Sequence, residues 1–431
     1  MQNALYILHQ AIDAVQPATL VQNCLKFKQG LLFVNKHQYA IQPNGKIYVL
    51  AVGKAAAAMA VAVEKILGNQ ISGGIVVTKY GHGLPLQSLQ IIEAGHPIPD
   101  TQSVIAGKAI IDFSAQLSEN DIIILLLSGG ASSLVADTPG CITLSELQQT
   151  FQLLLNSGAN IHEMNTLRKH LSKIKGGQLA QLLMPARVIT LAISDVMGDD
   201  PSVIGSGPTV PDSSTFLDAW TIVQQYSLQQ RIPLSVHQYL QKGLNDVMAE
   251  TPKIHDACFQ KTNYYLLGNN GMALQSAKQA AEKLGYHAII VSKQLSGEAK
   301  EAGVAIVQQA LAYNGLYPAC LLFGGETTVI IHGNGLGGRN QELALAAALA
   351  LPEHASLQIV AAGTDGTDGP TDAAGAFTNV EQMQLARQLG VDAKAYLENN
   401  DAYHFFEKVN GLIKTGPTQT NVMDVVIVLI P

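Results

Sequence analysis

The chain has 431 residues, of which 47% are hydrophobic and 14% charged, and its net charge is −7. This length allows two or three domains, and the composition excludes a disordered chain. The negative balance gives no global attraction for nucleic acid or an acidic membrane surface, so any anion site must be built from local cations.

Met1–Gln10 lacks a basic start followed by a long apolar core and reads as no signal peptide. Strand Ile47–Val52 is followed by an alanine-rich helix, Lys54–Leu67, and then by strands Gly74–Thr78 and Leu89–Glu93. Ile122–Leu127 is wholly apolar, as a central parallel strand covered on both faces should be. Like every other apolar run in the chain, it falls far short of the roughly 18 residues that cross a bilayer. Thr143 and Glu146 form a T-x-x-E capping box, so a helix starts there. A second helix is expected from about His162 to Leu183, then strand Arg187–Ser194 and helices Ser214–Tyr226 and Leu234–Met248. The polar stretch Thr251–Asp256 reads as a linker. A new βαβ pattern follows, with strand Asn263–Leu267, helix Gly271–Leu284 and strand His287–Ser292. Helix Glu298–Tyr313, strands Ala319–Phe323 and Thr327–His332, helix Gln341–Leu351, and strands Leu357–Ala361 and Asp424–Leu429 complete the pattern. Alternating strands and helices imply α/β layers with mainly parallel sheets, and the break near residue 250 implies two domains, 1–250 and 251–431. Cys24, Cys141, Cys258 and Cys320 show no metal spacing and read as buried reduced thiols suited to a cytoplasm.

In such sheets ligands bind beyond the carboxyl ends of the strands, which singles out a few loops. Gly53-Lys54 places a cation at the start of a helix, where free N–H groups also favour anions. It is not a Walker loop, because the upstream glycine and the following Ser or Thr are missing. Ser128-Gly129-Gly130-Ala131-Ser132 follows the most apolar strand, and its small residues allow backbone N–H groups close to a phosphate or carboxylate. Asp195, at the next strand end, suits a Mg²⁺ ligand or a group that orients an attacking hydroxyl. Asp199 and Asp200 read either the same way or as caps and turn residues. Gly325 and Glu326 lie at another strand end. Arg339 and Asn340 open a helix where a guanidinium would meet an anion, against the alternative of a surface pair with Glu342. Asp365, Asp368 and Asp372 interleave with glycines as hard oxygen ligands for a divalent cation do, although Asp turns also produce such loops. His96, in a Pro-bounded loop, reads as a substrate contact or a structural residue. Tyr403, His404, Phe405 and Phe406 read as core. Gly333–Gly338 matches G-x-G-x-x-G but lacks the acidic residue closing the next strand that a dinucleotide site wants.

Taken together, Ala51–Ala58, Glu93–Asp100, Ser128–Leu134, Arg168–Leu179, Ser194–Asp212, Gly324–Thr328, Gly337–Leu343, Gly363–Ala376 and Thr415–Val422 resemble the glycerate 2-kinase family. The resemblance implies an N-terminal Rossmann-like parallel sheet with helices on both faces and a smaller C-terminal α/β domain containing the MOFRL region, about 318–425. It implies an active site in the cleft between the domains, with Lys54 and Arg339 as basic residues from each. It also implies transfer from ATP with Mg²⁺ to the 2-hydroxyl of D-glycerate, in the cytoplasm, without nucleic-acid or membrane partners and with a homodimer among the expected assemblies. The metal would be held by Asp195 or by Asp365, Asp368 and Asp372. The rival readings are an NAD(P)H-dependent hydroxypyruvate reductase, a name this family has also carried, and a non-catalytic sensor of phosphosugars or hydroxy acids. Ser206 stands where the family commonly has threonine, and Gln419 and Met423 stand where it usually has glycine and asparagine. If that tail loop touches nucleotide or substrate, affinity or the choice of hydroxy acid should differ.

Overall fold

A computed structural model describes residues Met1–Pro431, and the chain parts into two units, Leu20–Leu267 and Met1–Thr19 with Gly268–Pro431. In the first unit six strands share one sheet: β1 (Ile47–Val52), β2 (Ile71–Lys79), β3 (Gln90–Ala94), β4 (Ile122–Leu127), β5 (Arg187–Ile193) and β6 (Thr262–Gly268). Their order is β3-β2-β1-β4-β5-β6, and the pairs from β3 to β5 are parallel. All six residues of β4 are buried, as its unbroken apolar run requires of a strand covered on both faces. Leu50 and Val52 pack into a core with Ala106 and Ile110 of the helix Thr101–Ser114. Val49 and Ala51, also fully buried, face the other side, because successive strand side chains alternate. This strand order reverses direction between β1 and β4. In doubly wound sheets the crevice at such a reversal is where ligands bind.

The expected division at residue 250 does not coincide with these units. β6 completes the first sheet, and Met1–Thr19 belongs with the C-terminal residues. The helix Gln2–Ala14 is tied there by the Met1 amine on Gln358 Oε1 (2.6 Å), Ser276 Oγ on the Gln10 carbonyl (2.8 Å) and Thr420 Oγ1 on the Val15 carbonyl (2.7 Å). An antiparallel meander, Leu25–Lys28, Leu31–Val34 and His37–Ala40, also had no sequence signal strong enough to place it.

The second unit carries β7 (His287–Leu295), β8 (Ala319–Gly325), β9 (Gln358–Gly363), β10 (Gly375–Thr378), β11 (Leu412–Ile413) and β12 (Asp424–Ile430) in the order β7-β8-β12-β9-β10-β11. Only β7 and β8 are parallel. The C-terminal strand inserts antiparallel between β8 and β9, which corrects the expectation of a mainly parallel sheet here. Three further corrections are local. The helix expected over 162–183 is two, Ile161–His170 and Gln178–Leu182, because Gly176 and Gly177 both take left-handed conformations between them. Thr327–His332 forms no strand, only a bridge from Thr328 to Glu298, and Ile331 stands 77% exposed. Phe405 and Phe406 are core, whereas His404 is exposed on Asp401. Among the cysteines, Cys141 is exposed and the other three are buried. No helix is long and apolar enough to cross a membrane.

Candidate active site

The loops after β1 and β4 are zipped together at the reversal. Ser128 N donates to the Val52 carbonyl (3.0 Å), Lys54 N to the Gly129 carbonyl (2.9 Å), and Ala55 N to Ser128 Oγ (3.1 Å). Gly53 is required by this contact, since a Cβ there would lie 2.1 Å from Ser128 Oγ. The next two glycines mark where functional side chains converge. A Cβ on Gly129 would stand 1.7 Å from Asp195 Oδ2, so the carboxylate at the end of β5 rests directly on that residue. Gly130 has φ +84, and its Cβ would meet the His96 ring at 2.8 Å and Lys54 Cγ at 3.3 Å. One turn therefore gathers Lys54, His96 and Asp195 from the ends of β1, β3 and β5.

Ala131 then begins a single short helical turn, and Ser132 Oγ meets Ser206 Oγ at 2.8 Å. Ser206 Oγ donates to Asn165 Oδ1 (3.1 Å), which also accepts from Arg168 Nη1 (3.3 Å). Sequence reasoning did not assign Asn165 or Arg168 a role. The His96 loop is anchored by Asp100, which caps the helix Thr101–Ser114 and accepts from Tyr80 Oη at 2.6 Å. Burial pushes this carboxyl up, but the Tyr80 hydroxyl and the Ser103 and Gly95 amides outweigh it and hold it down to about 2. Asp199 sits in a left-handed turn and Asp200 accepts from Ser202 N, so both serve the turn after Asp195.

The second unit builds a different constellation. Arg339 forms a two-bond fork on Asp424, Nε to Oδ2 at 2.6 Å and Nη2 to Oδ1 at 2.9 Å, and its Nη1 lies 2.8 Å from Glu326 Oε1. The alternative pair with Glu342 does not form; that side chain accepts from Asn400. Burial opposes the Arg339 charge, but the Asp424 bond reverses the effect and raises its pKa. Asp424 lies opposite Gly325 and Gly363 in the sheet register. A Cβ on Gly363 would stand 3.3 Å from Asp365 Oδ1 and 3.4 Å from Asp424 Oδ1, so both carboxylates border one spot. Gly325 itself packs on the Leu295 backbone, which a Cβ would strike at 2.2 Å.

The acidic loop separates into three fates. Asp365 stays near Asp424. Asp368 is buried under the helix Arg339–Ala350, accepting from Asn340 N (3.0 Å) and Gln341 N (2.8 Å). Burial raises its pKa to about 6 against the pull of those amides. Asp372 accepts from Tyr403 Oη and pairs with Lys414 at the surface. Asp368 and Asp372 are therefore a helix cap and a surface ion pair, and Asn340 helps hold Asp368. No cluster of His, Cys, Asp or Glu side chains is large enough for a resident metal cage. Asp195, or Asp365 with Asp424, fits a Mg²⁺ that arrives on phosphates and takes one or two carboxylates.

The G-x-G-x-x-G stretch is used for packing. His332 N and Gly333 N bond Asn400 Oδ1, Gly335 N bonds the Asn399 carbonyl, and no strand precedes it. The strand–turn–helix context of a dinucleotide fingerprint is missing.

A domain of unknown function, DUF4147, matches residues 3–241, and the MOFRL family matches 319–424. A glycerate 2-kinase of Pyrococcus horikoshii is 41% identical over 437 residues, spanning 99% of this chain and 96% of that relative. A D-glycerate 2-kinase of Thermotoga maritima is also 41% identical, over 99% of this chain and 97% of its own. The crystal structure of a glycerate kinase from Thermotoga maritima superposes with a TM-score of 0.87 at 40% identity, covering 100% of this chain and 99% of that one. With near full-length identity to these kinases, the chain belongs to the glycerate 2-kinase family.

Proposed function

We propose that this protein transfers the γ-phosphoryl group of ATP to the 2-hydroxyl of D-glycerate, and does so in the cytoplasm. The observation that carries the reading is the meeting of Lys54, His96 and Asp195 on the Gly129–Gly130 turn at the strand-order reversal. A phosphoryl transfer needs a fixed cation, small residues that let backbone donors approach, and a carboxylate beside the attacking hydroxyl. Lys54 holds an anionic group of a reactant. Asp195 orients the hydroxyl and receives its proton as the new O–P bond forms and the bond to ADP breaks. His96, which shares the Gly130 surface with Lys54, contacts substrate.

Mg²⁺ supplies charge neutralisation on the nucleotide phosphates. Arg339, Asp424 and Glu326 sum to a net negative charge when both acids are ionised. That centre is therefore suited to a phosphate accompanied by its cation, not to a bare anion. Three of the five Arg339 N–H donors are engaged, and the remaining two are the ones assigned to the transferring group.

One paired assay tests the reaction class. ADP release should require ATP, Mg²⁺ and D-glycerate together. NADH oxidation with hydroxypyruvate, without ADP release in the first mixture, would establish the reductase instead. Stoichiometric binding of D-glycerate with neither reaction would make it a sensor.

A further inference from the structure

The helix Ile161–His170 ends in three consecutive basic residues, and they are treated unequally. Lys169 pairs with Asp212 at 3.1 Å, and His170 with Glu250 at 3.2 Å. Arg168 has no carboxylate. Its polar contact is the neutral Asn165 Oδ1 at 3.3 Å, and its other neighbour is the Phe151 ring, 5.6 Å from the guanidinium carbon. Asp137 accepts instead from Ser172 Oγ and the Lys173 amide. Lys175, buried on the Val135 carbonyl, adds a second cation to the same region.

The half-buried guanidinium keeps four of its five donors clear of protein partners, leaving them to an anionic ligand or to water. The negative end of its own helix offers some relief, but Lys169 and His170 share that end and still take carboxylates. Burial lowers the Arg168 pKa with no acid to oppose it. The direction in which a partner would lie is set by hydrogen bonds. Asn165 links Arg168 to Ser206, and Ser206 links to Ser132 in the segment that follows the Gly129–Gly130 turn.

We propose that Arg168, framed by Asn165, Ser206 and Ser132, binds the carboxylate of the hydroxy-acid substrate. The planar fork of a guanidinium matches a carboxylate with two parallel hydrogen bonds, which a lysine cannot supply. The inference rests on the kinase reading above and adds what makes the acceptor an acid instead of a neutral polyol. A site built to pair a charge disfavours the uncharged isostere, because the charge-assisted hydrogen bonds are then lost.

The test compares wild type, Arg168→Gln and Arg168→Lys with D-glycerate and with its neutral amide, D-glyceramide, as acceptors. Wild type should prefer the acid. Arg168→Gln should raise KM for D-glycerate at least about tenfold, leave KM for ATP within about twofold, and lose most of the acid-over-amide preference, with Arg168→Lys in between. Its Tm should be unchanged or higher, since a half-buried charge without a carboxylate partner has been removed. A lower Tm with the acid preference intact would make Arg168 structural and overturn the proposal. A rise in KM confined to ATP would assign it to phosphate and overturn it equally. If wild type shows no turnover with D-glycerate, the kinase reading itself fails, a result distinct from either.

Discussion

The two constellations of charged residues are built by different means. The one on the Gly129–Gly130 turn draws its side chains from loops that directly follow parallel strands. Its geometry is fixed by glycines that leave room for Asp195, His96 and Lys54. The one around Arg339 is fixed by pairing across the sheet: Asp424 holds the guanidinium because β12 runs between β8 and β9 and sets Asp424 opposite two glycines. In the first, the proposed functional side chains are fitted against glycines. In the second, the residue proposed for catalysis is also the counter-ion of a buried carboxylate.

The largest expected effect sharpens that contrast. Arg339→Ala should lower kcat by about 10³–10⁵ if it stabilises the transferring group. It should also cost roughly 3 kcal/mol of stability by leaving Asp424 buried without a partner, read together from steady-state rates and denaturant unfolding. Asp195→Asn should lower kcat by about 10²–10⁴ with unfolding unchanged within about 0.5 kcal/mol. Equal loss of stability in both variants would erase the distinction. Gly129→Ala is the steric version of the same experiment, since its methyl would displace the Asp195 carboxylate. At least about a hundredfold loss of kcat is expected, and near-normal kcat would remove Asp195 from the reaction.

Asp368 gives a prediction in pH. Its folded pKa of about 6 lies above the ordinary value of 3.8, so the folded state holds more protons between those values. Its contribution is therefore fully present below about pH 4 and is lost as pH rises through 6, by roughly 2–3 kcal/mol in all. Asp368→Asn should lack this slope in unfolding free energies measured from pH 4 to 7; parallel curves would contradict the assignment of Asp368 as a buried cap. The smallest effects concern Gln419 and Met423, which both have left-handed φ, +62 and +69. Replacing Gln419 by Gly should stabilise by about 1 kcal/mol, visible as a rise in Tm, whereas Met423 is also buried, so its replacement by Asn forfeits more packing than the relieved backbone returns.

The same contrast explains what could be read from sequence. The central strand Ile122–Leu127, the Thr143 capping box and the glycine turn with Lys54 were legible because each is a local signal: apolar run, cap spacing, small residues at a strand end. Asp424 as the partner of Arg339 was not, because that pairing depends on a C-terminal strand entering the middle of a sheet. Asp365, Asp368 and Asp372 looked alike in the acidic loop, and only burial and partners separate them. Asn165 and Arg168 were hidden for a related reason. A cation without a counter-ion can be recognised only after the counter-ions of its neighbours are known. The first nineteen residues carry no mark of the distant elements they join.

The most direct measurement is the proton-coupled phosphorus NMR spectrum of the product formed from ATP, Mg²⁺ and D-glycerate. A phosphate ester at the 2-position couples to one carbon-bound proton and must appear as a doublet, which is the result expected here. A triplet, from an ester on the terminal CH₂, or no new phosphorus resonance at all, would contradict the account.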